Sequence, residues 1–162
     1  MNGPSRIALA ALRQNRAFAK LIMDGCTWLL PHTEIGSLES TLDIDHEVQV
    51  PHSIGAIALG GEWWSVYCLS GELQPLPQIP NSRRTCALLD NGIDRFGLVC
   101  DQVEMLTEAP RLLALPACMG LPDSPIQALA LLDDRLGCVT TAEHLAARLA
   151  TLAALAENND ER

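Results

Sequence analysis

Short apolar segments joined by tight two-residue turns recur along this chain and constrain its fold more than any other feature. Asp24-Gly25 separates the apolar segments 20–23 and 26–30. An Asp-Gly pair in this position predicts a β-hairpin with a type I′ turn, in which both turn residues have positive φ. Similar turn signals separate three more pairs of segments: Gly60-Gly61 lies between 55–59 and 63–69, Asn91-Gly92 between 85–89 and 96–100, and Asp133-Asp134 between 128–132 and 136–139. Repeated hairpins without alternating strands and helices predict an all-β barrel or sandwich.

Helices are predicted only at the two ends of the chain. Residues 4–18 carry a modest apolar stripe at helical spacing. Thr140 and Glu143 have the spacing of a capping box, which predicts a second helix beginning there. That helix carries four apolar residues on one face, which we expect to pack on the β core: Leu145, Leu149, Leu152 and Ala156. The polar segment 157–162 is predicted to be a frayed tail.

Two proline-rich segments interrupt the strands. Segment 74–81 holds three prolines in eight residues and is predicted to be a loop, since proline cannot donate to a sheet ladder. Segment 110–125 is broken in the same way by prolines and a glycine.

Size and charge limit the function classes. The 162 residues suffice for one domain, and the formal net charge of −9 argues against binding nucleic acid or anionic membranes. No apolar run is long enough to span a bilayer, and the N-terminal residues lack the pattern of a signal peptide, so we expect a cytoplasmic protein without membrane insertion. The six cysteines are scattered singly without a CxxC pair, which favours reduced, structural thiols.

Recognisable catalytic and ligand-binding motifs are absent from the sequence. No HExxH, GxSxG, Walker or GxGxxG motif occurs, so no catalytic residue, cofactor or metal ligand is predicted. Asp43, Asp45 and Glu47 alternate along what reads as an extended segment, where a solvated sheet edge is favoured over a calcium site. An enzyme that uses Cys100 with a distant histidine is a remaining, disfavoured alternative.

Half of the aromatic residues of the chain lie in one predicted strand. Trp63 shares a strand face with Tyr67, and Trp64 lies on the opposite face. Trp and Tyr are typical anchors of protein interfaces, but a strand that is apolar on both faces is equally typical of a packed core. Both interpretations stay open at the sequence level.

The order of the hairpins over residues 18–149 resembles the CheW-like adaptors of bacterial chemosensory arrays. The best match is GLVCDQV at 97–103, which is similar to the family pattern G-L-x-V-D-x-V. Weaker matches lie at 29–35 (LLPHTEI), 51–59 (PHSIGAIAL), 61–69 (GEWWSVYCL), 115–116 (LP) and 128–139.

This resemblance implies a mostly β fold of two small five-stranded β-barrel subdomains, flanked here by an N-terminal and a C-terminal helix. It divides the chain into a helical extension (1–17), a CheW-like domain (18–156) and the tail (157–162). It also implies a non-catalytic scaffold in chemosensory signal transduction that couples the cytoplasmic tips of chemoreceptors to the regulatory domain of a histidine kinase. A system linked to pilus motility is one candidate setting.

The sequence departs from the family pattern at positions that bear on its partners. Gly60 stands where the family usually has an arginine, Ser65 replaces its proline and Cys68 its aspartate. A degenerate domain that binds a different protein is therefore an alternative, and a small-ligand-binding β-barrel is a weaker one. The predicted partner-binding residues surround the first departure: Gly60, Gly61, Glu62, Trp63, Trp64 and Tyr67.

Overall fold

The computed structural model describes Ile7, residues 9–48 and residues 50–161. Two α-helices and eleven β-strands make up the described chain. The helices are α1 (Leu9–Arg13) and α2 (Ala142–Asp160). The strands are β1 (Phe18–Met23), β2 (Cys26–Pro31), β3 (Ile35–Ser40), β4 (Gly55–Leu59), β5 (Glu62–Tyr67), β6 (Thr85–Asp90), β7 (Arg95–Cys100), β8 (Gln102–Met105), β9 (Arg111–Leu113), β10 (Ala128–Leu131) and β11 (Leu136–Val139).

The strands form two sheets, and the predicted mostly β fold with a helix near each end is confirmed. The first sheet has the order β8-β1-β2-β11-β10-β9, and the second has the order β3-β6-β7-β5-β4. Neighbouring strands are antiparallel except for one parallel pair in each sheet, β2–β11 and β5–β7. The first sheet has six strands rather than the five that the family resemblance implies, with β8 and β9 at its two edges.

All four predicted hairpins are present. Asp24 and Gly25 have φ values of 51° and 78°, and Gly60 and Gly61 have 61° and 80°, as type I′ turns require. The β6–β7 hairpin turns at Asn91-Gly92, and β10–β11 turns at Asp133-Asp134. Segment 74–81 forms a loop, as its prolines predict, with one isolated bridge between Leu69 and Pro75.

Three strands escape the pattern analysis because they lie at sheet edges. β3 alternates half-buried and exposed residues, three of the four residues of β8 are exposed, and β9 lies inside the segment 110–125 that was predicted to be irregular. The extended segment predicted around Asp43 is wrong. Residues 41–43 form a 3₁₀ turn, and Asp45 makes only an isolated bridge to Ala56. All three of its carboxylate residues are exposed.

The two helices differ from their predicted bounds. α1 is one short turn, and β1 begins at Phe18, where the helix was predicted to end. Residues 4–6 and Ala8 of the predicted helix lie outside the described residues. α2 continues to Asp160 and so includes most of the polar segment 157–162. No helix among the described residues is long and apolar enough to cross a membrane.

The predicted capping box at the start of α2 is wrong by one residue. Thr141 is the N-cap, and its side chain accepts a hydrogen bond from the amide of His144 at 3.2 Å. Thr140 instead donates its amide to the Leu29 carbonyl and extends the line of β11. Glu143 is exposed and takes no part in the cap.

The apolar core has three clusters. The largest lies between the two sheets, where the predicted face of α2 covers it with Leu145, Leu149 and Leu152. A second cluster fills the other face of the second sheet. The third lies on the other face of the first sheet and is covered by Leu12 of α1. Each sheet is therefore buried on both faces over much of its area.

Candidate partner-binding surface

The tip of the β4–β5 hairpin is an exposed turn built from two glycines. A Cβ atom at Gly60 or Gly61 would meet no other atom within 4 Å, so no close packing requires a glycine at either position. Their positive φ angles do, because L-residues with side chains rarely adopt them. The turn thus projects into open space, and its shape is set by the backbone alone.

Trp63 lies two residues after this turn and is the most exposed aromatic side chain of the β4–β5 hairpin. It is 58% exposed and pairs across the strands with Ala58, which is also exposed. Leu59 projects from the opposite face of the hairpin and is 37% exposed. We call Ala58, Leu59, Gly60, Gly61 and Trp63 the hairpin surface. An exposed tryptophan at a hairpin tip has the character of an interface anchor, because it contributes a large apolar area with few rotatable bonds.

Trp64 belongs to the core rather than to the exposed part of this hairpin. It is 8% exposed and packs in the cluster that contains Ile57 and Val66. The Arg95 guanidinium lies over its ring, 5.9 Å from the centroid. Arg95 also pairs with Glu62, at 2.7 Å, so Glu62 is held beside the buried ring. Trp64 and Glu62 therefore anchor the hairpin to the second sheet, Trp64 by packing in the core and Glu62 by its ion pair with Arg95.

Tyr67 faces the cluster between the two sheets. Its ring meets Phe96 edge-on, with centroids 6.4 Å apart and an angle of 73° between the planes. Burial raises the pKa of its hydroxyl despite an opposing hydrogen bond from Ser65. Of the six predicted partner-binding residues, Gly60, Gly61, Glu62 and Trp63 lie at the exposed tip, and Trp64 and Tyr67 point into two different parts of the core.

A buried arginine that was not predicted from the sequence, Arg83, bonds to residues next to or within both sheets. Arg83 is 2% exposed and donates to the Leu69 carbonyl, just after β5, at 2.6 Å and to the Val99 carbonyl in β7 at 3.2 Å. It forms an ion pair with Asp24 of the β1–β2 turn, at 3.0 Å. It also lies 3.5 Å from Asp101, where the chain crosses from β7 to β8. Nothing in the local spacing around Arg83 signals these long-range partners.

Arg83 also contacts Cys68, one of the positions at which the sequence departs from the family pattern. The Cys68 sulfur is 3.6 Å from Nη1 of Arg83, so the position that carries an aspartate in the family pattern touches the buried arginine. Asp24 and Asp101 supply the negative charge here. Burial opposes ionisation of Asp101, but hydrogen bonds from Ser82 and from the Asp24 amide, together with the charge of Arg83, hold its pKa below the usual value.

The buried thiols are unsuited to nucleophilic chemistry. Cys100 is fully buried, and burial raises its pKa far above the ordinary thiol value. Burial also raises the pKa of Cys86 to about 12. Because the thiolate is the reactive form and the side chain of Cys100 is closed off from solvent, the structure disfavours Cys100 as a nucleophile. Among the described residues, no three His, Cys, Asp or Glu side chains are grouped to hold a metal ion.

Comparison with known proteins identifies a fold rather than a close relative. No family model matches the sequence, and no curated protein matches it. A solved structure, the scaffolding protein TtCheW from Thermoanaerobacter tengcongensis, is similar with a TM-score of 0.64 and 13% sequence identity. The similarity covers 81% of this chain and 92% of that one. With this extent of overlap and this low identity, the chain has the CheW-like fold with a divergent sequence.

Proposed function

We propose that this chain is a non-catalytic adaptor of a chemosensory signalling complex, acting in the cytoplasm, which couples chemoreceptors to the regulatory domain of a histidine kinase. The observation that carries the proposal is the match of 81% of the chain to the fold of a scaffolding protein. Function in such a fold resides in its surfaces, so the partner must be argued from the exposed residues.

The hairpin surface is the part of the chain best suited to a protein partner. Trp63 offers a large apolar side chain at the end of a projecting turn, and Leu59 adds exposed apolar area from the other face. The excess of acidic residues supports a protein partner over nucleic acid, whose phosphates the chain would repel.

The glycine at position 60 supports a second candidate function. In the family, the arginine of this turn is tied to contacts with the receptor or kinase, and glycine has no guanidinium for bidentate pairing. A degenerate CheW-like domain that binds a different protein through the same hairpin is therefore the alternative. The two functions differ in the partner and agree on the surface.

Direct binding separates the two functions. The purified chain is titrated against the regulatory domain of a chemosensory histidine kinase and against the cytoplasmic fragment of a chemoreceptor, both from the same organism. The adaptor proposal expects saturable binding to at least one of them. If neither binds, although the chain is folded, the coupling role is wrong.

Substitution of Trp63 tests the surface. Trp63→Ala should weaken binding of the partner by about 2 kcal/mol or more, since aromatic anchors at the centre of an interface carry losses of this size. Leu121→Ala is the matched control, because Leu121 is an exposed apolar residue in the loop between β9 and β10 of the other sheet. Equal affinities of the two variants and of the unmodified protein, measured by calorimetry, would exclude the hairpin surface.

A further inference from the structure

A cavity of about 730 Å³ opens beside the first sheet, away from the β4–β5 hairpin. Its wall is formed by the start of β2, the loop at 71–73, residues 125–126, the β10–β11 turn with β11, and one residue of α2, Arg148. Cys138 pairs with Trp28 across the parallel β2–β11 ladder, so Cys26, Trp28, Leu136 and Cys138 project from the same face of the sheet. A volume of this size falls within the usual range of small-molecule sites, roughly 300–1,000 Å³.

The wall of the cavity is mainly apolar. The Trp28 indole N–H donates to the Gly71 carbonyl at 3.0 Å, so the polar group of this ring is already satisfied and the ring contributes apolar surface. Leu73 is fully buried beneath the same wall. Leu136 lines the cavity and is 56% exposed, a large apolar side chain in the middle of the sheet that nothing in the described chain covers.

The charges of the cavity favour one negative group. Four charged residues lie around it: Glu72, Asp134, Arg135 and Arg148. Arg135 is paired with Asp134 at 3.3 Å. Arg148 is half-buried and makes no ion pair among the described residues, so its guanidinium is available to a ligand. Glu72 is exposed at the rim and would repel a second negative charge.

We propose that this cavity binds a small apolar monocarboxylate, with its hydrocarbon part against Trp28 and Leu136 and its carboxylate on Arg148. A guanidinium matches a carboxylate in a bidentate geometry, and the apolar wall accounts for the rest of the ligand. This inference is independent of the proposed adaptor function, since none of the cavity residues belongs to the hairpin surface.

The thiol of Cys26 provides a built-in reporter. Cys26 is exposed at the cavity, and Cys118 is exposed outside it, in the loop between β9 and β10. The full chain is treated with N-ethylmaleimide in the presence of increasing decanoate, below its micelle concentration, and alkylation of each thiol is followed by peptide mass spectrometry. We expect decanoate to slow the alkylation of Cys26 saturably and to leave Cys118 unchanged. Failure to protect Cys26 would overturn the proposal.

Charge selectivity tests the assignment of the head group. Decyltrimethylammonium has the same chain length and the opposite charge, and it should not protect Cys26.

Arg148→Gln should weaken decanoate binding about tenfold or more, because it removes a hydrogen bond between charged groups. Leu136→Glu places an additional negative charge in the apolar part of the wall and should abolish protection, whereas Arg84→Gln, at an exposed site elsewhere, should have no effect. Equal protection by the cation, or unchanged affinity in Arg148→Gln, would contradict the proposed ligand.

Discussion

Adjacent tryptophans of one strand have opposite environments. Trp64 is packed among core residues, and Trp63 is mostly exposed. We therefore expect Trp64→Ala to lower the free energy of unfolding by about 3–5 kcal/mol, the usual loss for deleting a buried tryptophan. Trp63→Ala should change it by less than about 1 kcal/mol, since it removes few buried contacts. Urea unfolding of both variants checks this, and equal losses would contradict the described environment of the hairpin.

Arg83 is expected to be essential to stability through its charge. Arg83→Met keeps most of the side-chain volume but leaves Asp24 and Asp101 without their cation, and breaking such a buried pair costs about 3–5 kcal/mol. Because Asp24 is partly exposed and can be hydrated, we expect the lower end of this range. The neighbouring Arg84 is exposed, so Arg84→Met is the control. Equal urea midpoints for the two variants would show that the ion pairs contribute nothing.

At the scale of elements, the beginning of α2 provides a test of the corrected cap. Thr141→Ala should lower the free energy of unfolding by about 1 kcal/mol, because the amide of His144 loses its acceptor. Glu143→Ala should have almost no effect, although the sequence pattern assigns Glu143 to a capping box. Thermal unfolding of the two variants separates the cap seen in the structure from the predicted one.

Glu34 contacts the first turn of α2, and its ionisation makes the free energy of unfolding depend on pH. Its carboxylate accepts a hydrogen bond from the Ala142 amide at 2.8 Å, but burial raises its pKa above the ordinary 4.5, and the charges of Glu143 and Asp94 act in the same direction. The folded state thus holds this proton more tightly than the unfolded state. Stability should fall as the pH rises from about 4.5 through the folded pKa.

The variant Glu34→Gln removes this titration and keeps an acceptor for the amide. We expect the difference in urea midpoint between Glu34→Gln and the unmodified protein to grow in favour of the variant between pH 4 and 7. Glu157→Gln, at an exposed site near the far end of the same helix, should show no such trend. Parallel curves for Glu34→Gln and the unmodified protein would show that Glu34 has the same pKa in both states.

Elements with strong local signals could be predicted from the sequence, and those defined by distant contacts could not. The hairpin turns at Asp24-Gly25 and Gly60-Gly61 need positive φ, which few residue pairs allow. These two pairs therefore predict the turns without any information on distant contacts. The edge strands β3 and β8 carry many solvated residues and resemble loops. At the cap, Thr140 and Thr141 are both suitable residues, and only the pairing of Thr140 with β2 decides between them.

The candidate site, too, could be predicted only where it has a local sequence signal. The concentration of aromatic residues in β5 is visible in the sequence, but the strand is apolar on both faces. Which tryptophan is exposed depends on where the sheet ends and on Arg95, which covers Trp64 from another strand. The cavity beside β2 was not predicted at all, because its wall combines residues 25–28, 71–73 and 125–148, three regions that are far apart in the chain.

At the scale of the whole molecule, two sheets with a shared apolar cluster carry different surfaces. The second sheet presents the hairpin surface, and the first borders the cavity near α2. Arg83 and its two aspartates join the sheets at one point, and α2 covers the cluster between them. The hairpin surface and the cavity therefore lie on different sheets of the molecule.

The most direct test of the adaptor role is recovery of the partner from the organism's own cells. The tagged chain, with Trp63→Ala as its matched variant, is isolated from cell extract, and the bound proteins are identified and quantified by mass spectrometry. We expect a histidine kinase or a methyl-accepting chemoreceptor to be recovered with the unmodified chain and to be depleted with the variant. Recovery of neither, with some other protein bound at stoichiometric yield, would contradict the adaptor role and show that the fold serves a different partner.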